Sequence, residues 1–254
     1  MDFKSFGFSD PGKINKNNED SFLCNNNEGL FLVADGMGGH ASGETASKLA
    51  VETVNEFVIA SRANEVTWPI PYRKDLSIET NRLLAGTYLG NLKIKEASEK
   101  NPSMKGMGTT VSGAIIDGED LSVINVGDSR VYRIRDKIIE QITIDHSLAR
   151  EHARNGIISE EEIGEHPLRH ILTRALGHIN TSLKIDIFKS GIAKKDMYLI
   201  CSDGLYNMVK ENKMLTIIES VQDKSLYKIG LSLVLEANLA GGTDNITVVL
   251  LFFP

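Results

Sequence analysis

The sequence predicts an α+β fold in which antiparallel sheets carry helices on their outer faces. Strand-like and helix-like segments do not alternate as regular βαβ units. Two long helical patterns lie side by side, with strand-like runs before and after them. Those runs come in hairpin-like pairs broken at short polar turns, which makes the sheets antiparallel.

The elements follow in chain order. The acidic pair Glu19-Asp20 precedes a short apolar stretch, Ser21-Phe22-Leu23. Residues 29–34 read as a buried strand that runs into Asp35-Gly36. Over residues 42–60, Ala46, Leu49, Ala50, Thr53, Val54 and Phe57 recur with a period of about 3.6, the mark of one apolar helix face. The Pro-rich Trp68-Pro69-Ile70-Pro71 then separates this helix from a second over residues 77–99. Residues 121–126 form another buried strand, breaking at Gly127-Asp128, and residues 131–135 alternate apolar and polar as a half-exposed strand does. Residues 146–170 are charged, histidine-rich and weakly apolar, and read as a peripheral flap with a capping-box helix start at Ser159-Glu160-Glu161-Glu162. Residues 197–201 and 246–253 are the last clear strands, with a third helix over 225–239 between them. With no repeats or long linkers, residues 1–254 are expected to form one domain.

Bulk properties exclude several classes. The net charge of −6 argues against the broad basic face of a nucleic-acid binder. No apolar run reaches the ~20 residues of a membrane helix, and the N-terminus lacks the basic and apolar regions of a signal peptide. Cys24 and Cys201 lie too far apart in sequence to read as a framework. A cytoplasmic, monomeric protein is expected, without nucleic-acid or membrane partners.

The recurring chemical feature is an aspartate where a strand stops: Asp35-Gly36, Gly127-Asp128, Asp203-Gly204 and Asp244-Asn245. A single Asp-Gly is a turn dipeptide more often than a ligand. Repetition at rigid strand ends is different, because converging carboxylates repel one another unless a cation sits among them. Oxygen donors without a Cys or His cluster select Mg²⁺ or Mn²⁺ over zinc.

Three other readings of the glycines and cysteines fail. Gly36-Met37-Gly38-Gly39-His40-Ala41 fits the dinucleotide fingerprint, with Glu56 about 20 residues on, but Asp35 is an awkward neighbour for a pyrophosphate and no second strand follows the helix. A P-loop starting at Gly38 has Glu44 where the phosphate-binding lysine belongs. A cysteine phosphatase needs an arginine six residues after its nucleophile, and Cys24 and Cys201 have Leu30 and Asn207 there.

Taken together, the motifs resemble those of the type 2C metal-dependent protein phosphatases, in their compact bacterial single-domain form. The matching pieces are Ser9-Asp10-Pro11-Gly12 with Asn18-Glu19-Asp20, then Val33-Ala34-Asp35-Gly36-Met37-Gly38-Gly39-His40 and Gly106-Met107-Gly108-Thr109-Thr110. Val126-Gly127-Asp128-Ser129-Arg130, Asp145-His146-Ser147 and Leu172-Thr173-Arg174-Ala175-Leu176-Gly177 follow, then Ser202-Asp203-Gly204-Leu205 and Gly242-Thr243-Asp244-Asn245-Ile246-Thr247. Each is modestly specific; the ordered set, spanning residues 9–249, is highly specific.

The resemblance implies an α/β/β/α sandwich and hydrolysis of phosphoserine and phosphothreonine in proteins by a water activated between two metals, without a covalent intermediate. It implies that Asp35 bridges two Mn²⁺ or Mg²⁺ ions, that the Gly36 carbonyl helps hold one, and that Asp203 and Asp244 complete the other. Glu19 and Asp20 would act through metal-bound waters, Asp128 with Asp203 would form a third, weaker site, and His40 would be the general acid. Phosphorylated proteins are the implied partners, with a cognate Ser/Thr kinase opposing the activity. One position departs from the pattern: Asn15 stands where the family usually has a phosphate-binding arginine. Asparagine supplies neither charge nor a bidentate fork, so Lys13 or Lys16 is expected to share the phosphate grip. A weakly catalytic module that sequesters phosphoproteins is the competing reading, and Asn15 is its only support.

Overall fold

The computed structural model describes residues 2–38, 41–64, 66–177 and 183–254. It is an α/β/β/α sandwich. One sheet has five strands in the order β1 (Lys4–Asp10), β11 (Ile246–Phe252), β10 (Met197–Cys201), β7 (Arg130–Arg135) and β8 (Ile138–Gln141). The other runs β2 (Asp20–Asn25), β3 (Leu30–Met37), β5 (Val111–Asp117), β6 (Asp120–Val126) and β9 (Asp186–Gly191), with the short β4 (Gly108–Thr109) paired to the end of β3. Every pairing is antiparallel.

Burial on both faces explains why the strands read as continuous apolar runs. Along β3, Leu30, Leu32 and Ala34 turn toward the helices α1 (Ala41–Arg62) and α2 (Ile78–Lys100), where they meet Val54, Val58 and Leu83. The alternate residues Phe31 and Val33 face the opposite sheet and pack with Val131, Tyr198, Ile200, Val249 and Leu251. On the far side, Leu199, Val248 and Leu250 pack under α5 (Glu211–Ser220) and α6 (Leu226–Leu239) through Met214, Ile218 and Leu233. The core therefore has three apolar layers, one between the sheets and one under each helical layer.

The helices α1, α2 and α6 start close to where periodicity places them. Ser77 caps α2, its hydroxyl accepting from the Thr80 N–H, and Ser225 caps α6 in the same way. The flap differs from expectation. Its helix is α3 (Leu148–Arg154), capped by Ser147, and the Ser159–Glu162 pattern leads only into a 3₁₀ turn, Ile163–Glu165. Glu162 does reach back to the Ser159 N–H at 2.7 Å, so half of the capping box forms without a helix following it. Of the two cysteines, Cys201 is buried in β10 and Cys24 half-buried in β2, both as packing residues. Among the described residues no helix is long and apolar enough to cross a membrane.

Candidate active site

Carboxylates from both sheets meet at one end of the sandwich, in a cleft of about 960 Å³ lined by Glu19, Asp35, Gly36, Asp128, Asp203 and Asp244. Asp35 lies inside β3, directly opposite Asp20 of β2 in the strand register. It is fixed through its backbone: its N–H donates to Thr110 Oγ1 at 2.9 Å, and its carbonyl accepts from Thr110 N and Thr109 Oγ1, both at 2.8 Å. Asp128 follows β6 after Gly127. Asp203 opens the short helix α4 (Asp203–Tyr206) directly after β10. Asp244 precedes β11 rather than ending a strand, so the strand-end rule holds in mirror image at that position.

The second rank of the site is built from neutral donors. Asp20 Oδ2 accepts from the hydroxyls of Ser202, directly after β10, at 2.7 Å and of Thr247, in β11, at 2.6 Å. Asn245 accepts from the Glu19 N–H at 2.8 Å and donates to the carbonyls of Pro11 and Asn17, each at 3.0 Å. Gly43 of α1 packs so closely here that a Cβ on it would stand 1.8 Å from Glu19 Oε2. Only glycine leaves that carboxylate its place.

The electrostatics are unfavourable for the protein alone. Burial pushes the Asp20 carboxyl up to about 6 and that of Asp128 up to about 7, with neighbouring aspartates adding to both. Burial, followed by the charges of Asp20, Asp203, Asp128 and Asp244, holds Asp35 well above the usual carboxylate range. Asp203 is raised in the same way by burial and by Asp128, Asp244 and Asp20. Among the described residues, the buried oxygens Asp20 Oδ1 and Asp203 Oδ1 have no hydrogen-bond partner. Unpaired buried carboxylate oxygens are costly, and a set of oxygen donors without Cys or His suits a hard divalent cation. In donor type the residues present fit such an ion, although among the described residues no three His, Cys, Asp or Glu side chains are already grouped as a metal site.

The other expected site residues divide. Asn15 and Lys16 line the cleft, whereas Lys13 is not among its lining residues. The Asn15 amide donates to Asp244 Oδ1 at 2.8 Å, which ties it to the acidic cluster. His40 lies outside the described residues. Sequence reasoning did not single out Arg169, His170, Arg174 and Asn207, which also line the cleft. Arg174 had a signal, since it sits in one of the matched motifs; Arg169 and His170 lie in the flap, where nothing but composition could be read.

Comparison with known proteins bears on the same region. A family model described as Protein phosphatase 2C matches residues 13–231. A serine/threonine phosphatase, stp, of Listeria welshimeri is 38% identical over 250 residues, covering 95% of this chain and 92% of that protein. The crystal structure of the Mycobacterium tuberculosis serine/threonine phosphatase PstP/Ppp superposes with a TM-score of 0.84 at 32% identity, covering 99% of this chain and 98% of that one. The catalytic domain of a protein phosphatase PstP, crystallised in complex with two manganese ions, gives a TM-score of 0.82 at 30% identity and covers 99% of each chain.

Proposed function

The chain belongs to the protein phosphatase 2C family as a metal-dependent serine/threonine protein phosphatase, and from that premise we propose that it works through a dinuclear Mn²⁺ or Mg²⁺ centre held by Asp35, Asp203, Asp244 and the Gly36 carbonyl. Glu19 and Asp20 support that centre, and Asp128 with Asp203 offers a third, weaker position. The observation that carries this reading is the pair of buried, unpartnered oxygens on Asp20 and Asp203 within a cluster of raised carboxyls. Bound there, divalent cations supply the Lewis acid that neutralises a dianionic ester and acidifies the attacking water.

The chain's own residues do the rest. Ser202 and Thr247 hold Asp20 with one oxygen toward the cluster, and Asn245 fixes the backbone of Glu19. Neither cysteine is set up as a nucleophile: burial pushes the Cys24 thiol up to about 12 and the Cys201 thiol further, so neither supplies a thiolate at neutral pH. That agrees with direct attack by water and no covalent intermediate. Lys16, at the cleft wall, takes the phosphate-binding part left open by Asn15. His40 is assigned the proton transfer to the leaving alkoxide, by its position in the Asp35-Gly36 motif. The substrates are phosphoproteins, modified by an opposing Ser/Thr kinase, and residues 1–254 act as one catalytic domain with the flap over 146–170 beside the cleft.

The test is hydrolysis of a phosphothreonine peptide and of p-nitrophenyl phosphate. Both should require Mn²⁺ or Mg²⁺, stop in EDTA, and be lost in Asp203→Asn. Turnover that persists in EDTA would overturn the reading.

A further inference from the structure

Asp128 is held from two sides by consecutive residues of one loop. The first arm reaches its carboxyl. The Tyr206 hydroxyl, one turn along α4 from Asp203, faces Asp128 and favours its charged form. The Tyr206 ring lies under the Arg130 guanidinium, whose Cζ is 3.6 Å from the ring centroid. That guanidinium is fixed by a fork of bonds to Asp145, Nε to Oδ1 at 3.0 Å and Nη2 to Oδ2 at 2.7 Å, with Gln141 adding a bond to Oδ1 at 2.8 Å. A planar cation locked by a carboxylate is a rigid lid on the tyrosine.

The second arm reaches the backbone before Asp128. Gly127 adopts a φ of +107°, which disfavours any side chain, and both of its peptide groups are gripped by His146. The Gly127 N–H donates to His146 Nδ1 at 3.0 Å, and the Gly127 carbonyl accepts from the His146 N–H at 2.9 Å. Because Nδ1 accepts, the ring proton sits on Nε2 and is donated to Asp186 Oδ2 at 3.1 Å. The other oxygen of Asp186 accepts from Arg174 Nη1 at 2.6 Å, tying a second cleft residue to the same post. The next residue, Ser147, caps the flap helix α3, and the His146 carbonyl accepts from the Thr173 N–H at 2.8 Å where the flap returns.

We infer that Asp145 and His146 form a two-armed clamp, acting through Arg130–Tyr206 and through Gly127, that sets the Asp128 carboxylate for its cation and ties that setting to the root of the flap. Tyr206, Arg130, Asp145 and His146 are positioning residues in this scheme. The clamp rests on the reading of Asp128 as a cation ligand.

Mn²⁺ titration of the whole protein, followed by calorimetry and by the spin-resonance signal of the free ion, tests it without recourse to turnover. Tyr206→Phe keeps the ring under Arg130 and removes only the hydroxyl, while His146→Ala removes the grip on Gly127. Each should weaken the loosest class of Mn²⁺ by about tenfold or more, the usual effect of losing a group that orients a ligand. In His146→Asn the side-chain oxygen can stand where Nδ1 stands, so binding should stay within about twofold of wild type. Titrations of Tyr206→Phe and His146→Ala that superimpose on wild type would overturn the clamp, as would His146→Asn falling as far as His146→Ala. Asp128→Asn is the reference. If it leaves every class of Mn²⁺ unchanged, the ligand reading fails and the clamp with it; if it weakens the loosest class while Tyr206→Phe does not, the clamp alone fails.

Discussion

Replacing Asp128 by asparagine removes a proposed cation ligand, yet it should make the metal-free protein progressively more stable, relative to wild type, as pH rises. Burial pushes the Asp128 carboxyl up to about 7, with Asp145 adding to the effect and Arg130 opposing it. In the unfolded chain the same carboxyl titrates at about 3.9. A carboxyl raised in the fold binds its proton more tightly there. Its contribution to stability is therefore full below about pH 3.9 and is lost as pH rises through about 7. Between pH 5 and pH 8 that linkage amounts to about 2.6 kcal/mol for an isolated group. Coupled neighbours take up part of the repulsion, which leaves about 2 kcal/mol that wild type loses and Asp128→Asn keeps. In a protein of 254 residues this is a relative gain of about 4–8 °C in Tm. The assay is thermal unfolding of both proteins in EDTA at pH 5, 6, 7 and 8. Adding Mn²⁺ at pH 8 should then favour wild type, since an ion bound only by the native state stabilises it by mass action. A stability difference that stays constant from pH 5 to pH 8 in EDTA would refute the reasoning.

Three further outcomes are expected. Lys16→Ala should raise KM for a phosphopeptide about fivefold, a loss of about 1 kcal/mol, while Lys13→Ala should leave it unchanged, because only Lys16 lines the cleft; steady-state kinetics at saturating Mn²⁺ decides this. Gly43→Ala puts a methyl group where Glu19 Oε2 now stands and 2.9 Å from the Gly36 backbone carbon, so both the carboxylate and the β3 backbone must shift. Its Mn²⁺ requirement should rise about tenfold and its Tm fall by about 4 °C or more, measured by metal titration of activity and by melting. Leu199→Ala, in the layer under α5 and α6, should cost about 3 kcal/mol in urea unfolding without changing the Mn²⁺ requirement.

The sequence carried the architecture because the physics that sets it is local and periodic. The helix caps at Ser77 and Ser225 fell at the boundaries that periodicity gives, and β10 coincides with its apolar run. Weaker patterns escaped. β1, β5, β8 and β9 were not singled out: β5 is interrupted by Ser112 and Gly113, and β9 is an edge strand with Lys189 exposed. The helix α5 has only Met214 and Ile218 buried, too few for a legible stripe. Within the site, motifs brought the carboxylates together but could not show who holds them. That Asn15 turns inward to Asp244, and that Tyr206 reaches Asp128, are facts of three-dimensional register that no spacing along the chain encodes.

The placement of the cluster across the two sheets has an energetic consequence. Asp20, Asp35 and Asp128 belong to the six-stranded sheet and its turns, while Asp203 and Asp244 flank strands of the five-stranded one. Mutual repulsion of these carboxylates pushes the sheets apart at this end. Opposing it are the bonds from Ser202 and Thr247 to Asp20, the bond from Glu19 to Asn245, and the apolar layer of Phe31, Val33, Val131, Ile200 and Val249 between the sheets. Because that layer is closely packed, the sheets hold their spacing, and burial first, then repulsion, raises the carboxyl titration. These bonds and the inter-sheet core together fix the spacing of the strands that carry the carboxylates. Loosening that core with Val249→Ala should therefore weaken Mn²⁺ binding as well as stability, whereas Leu199→Ala, on the outer face of the neighbouring strand and removing a larger side chain, should affect stability alone.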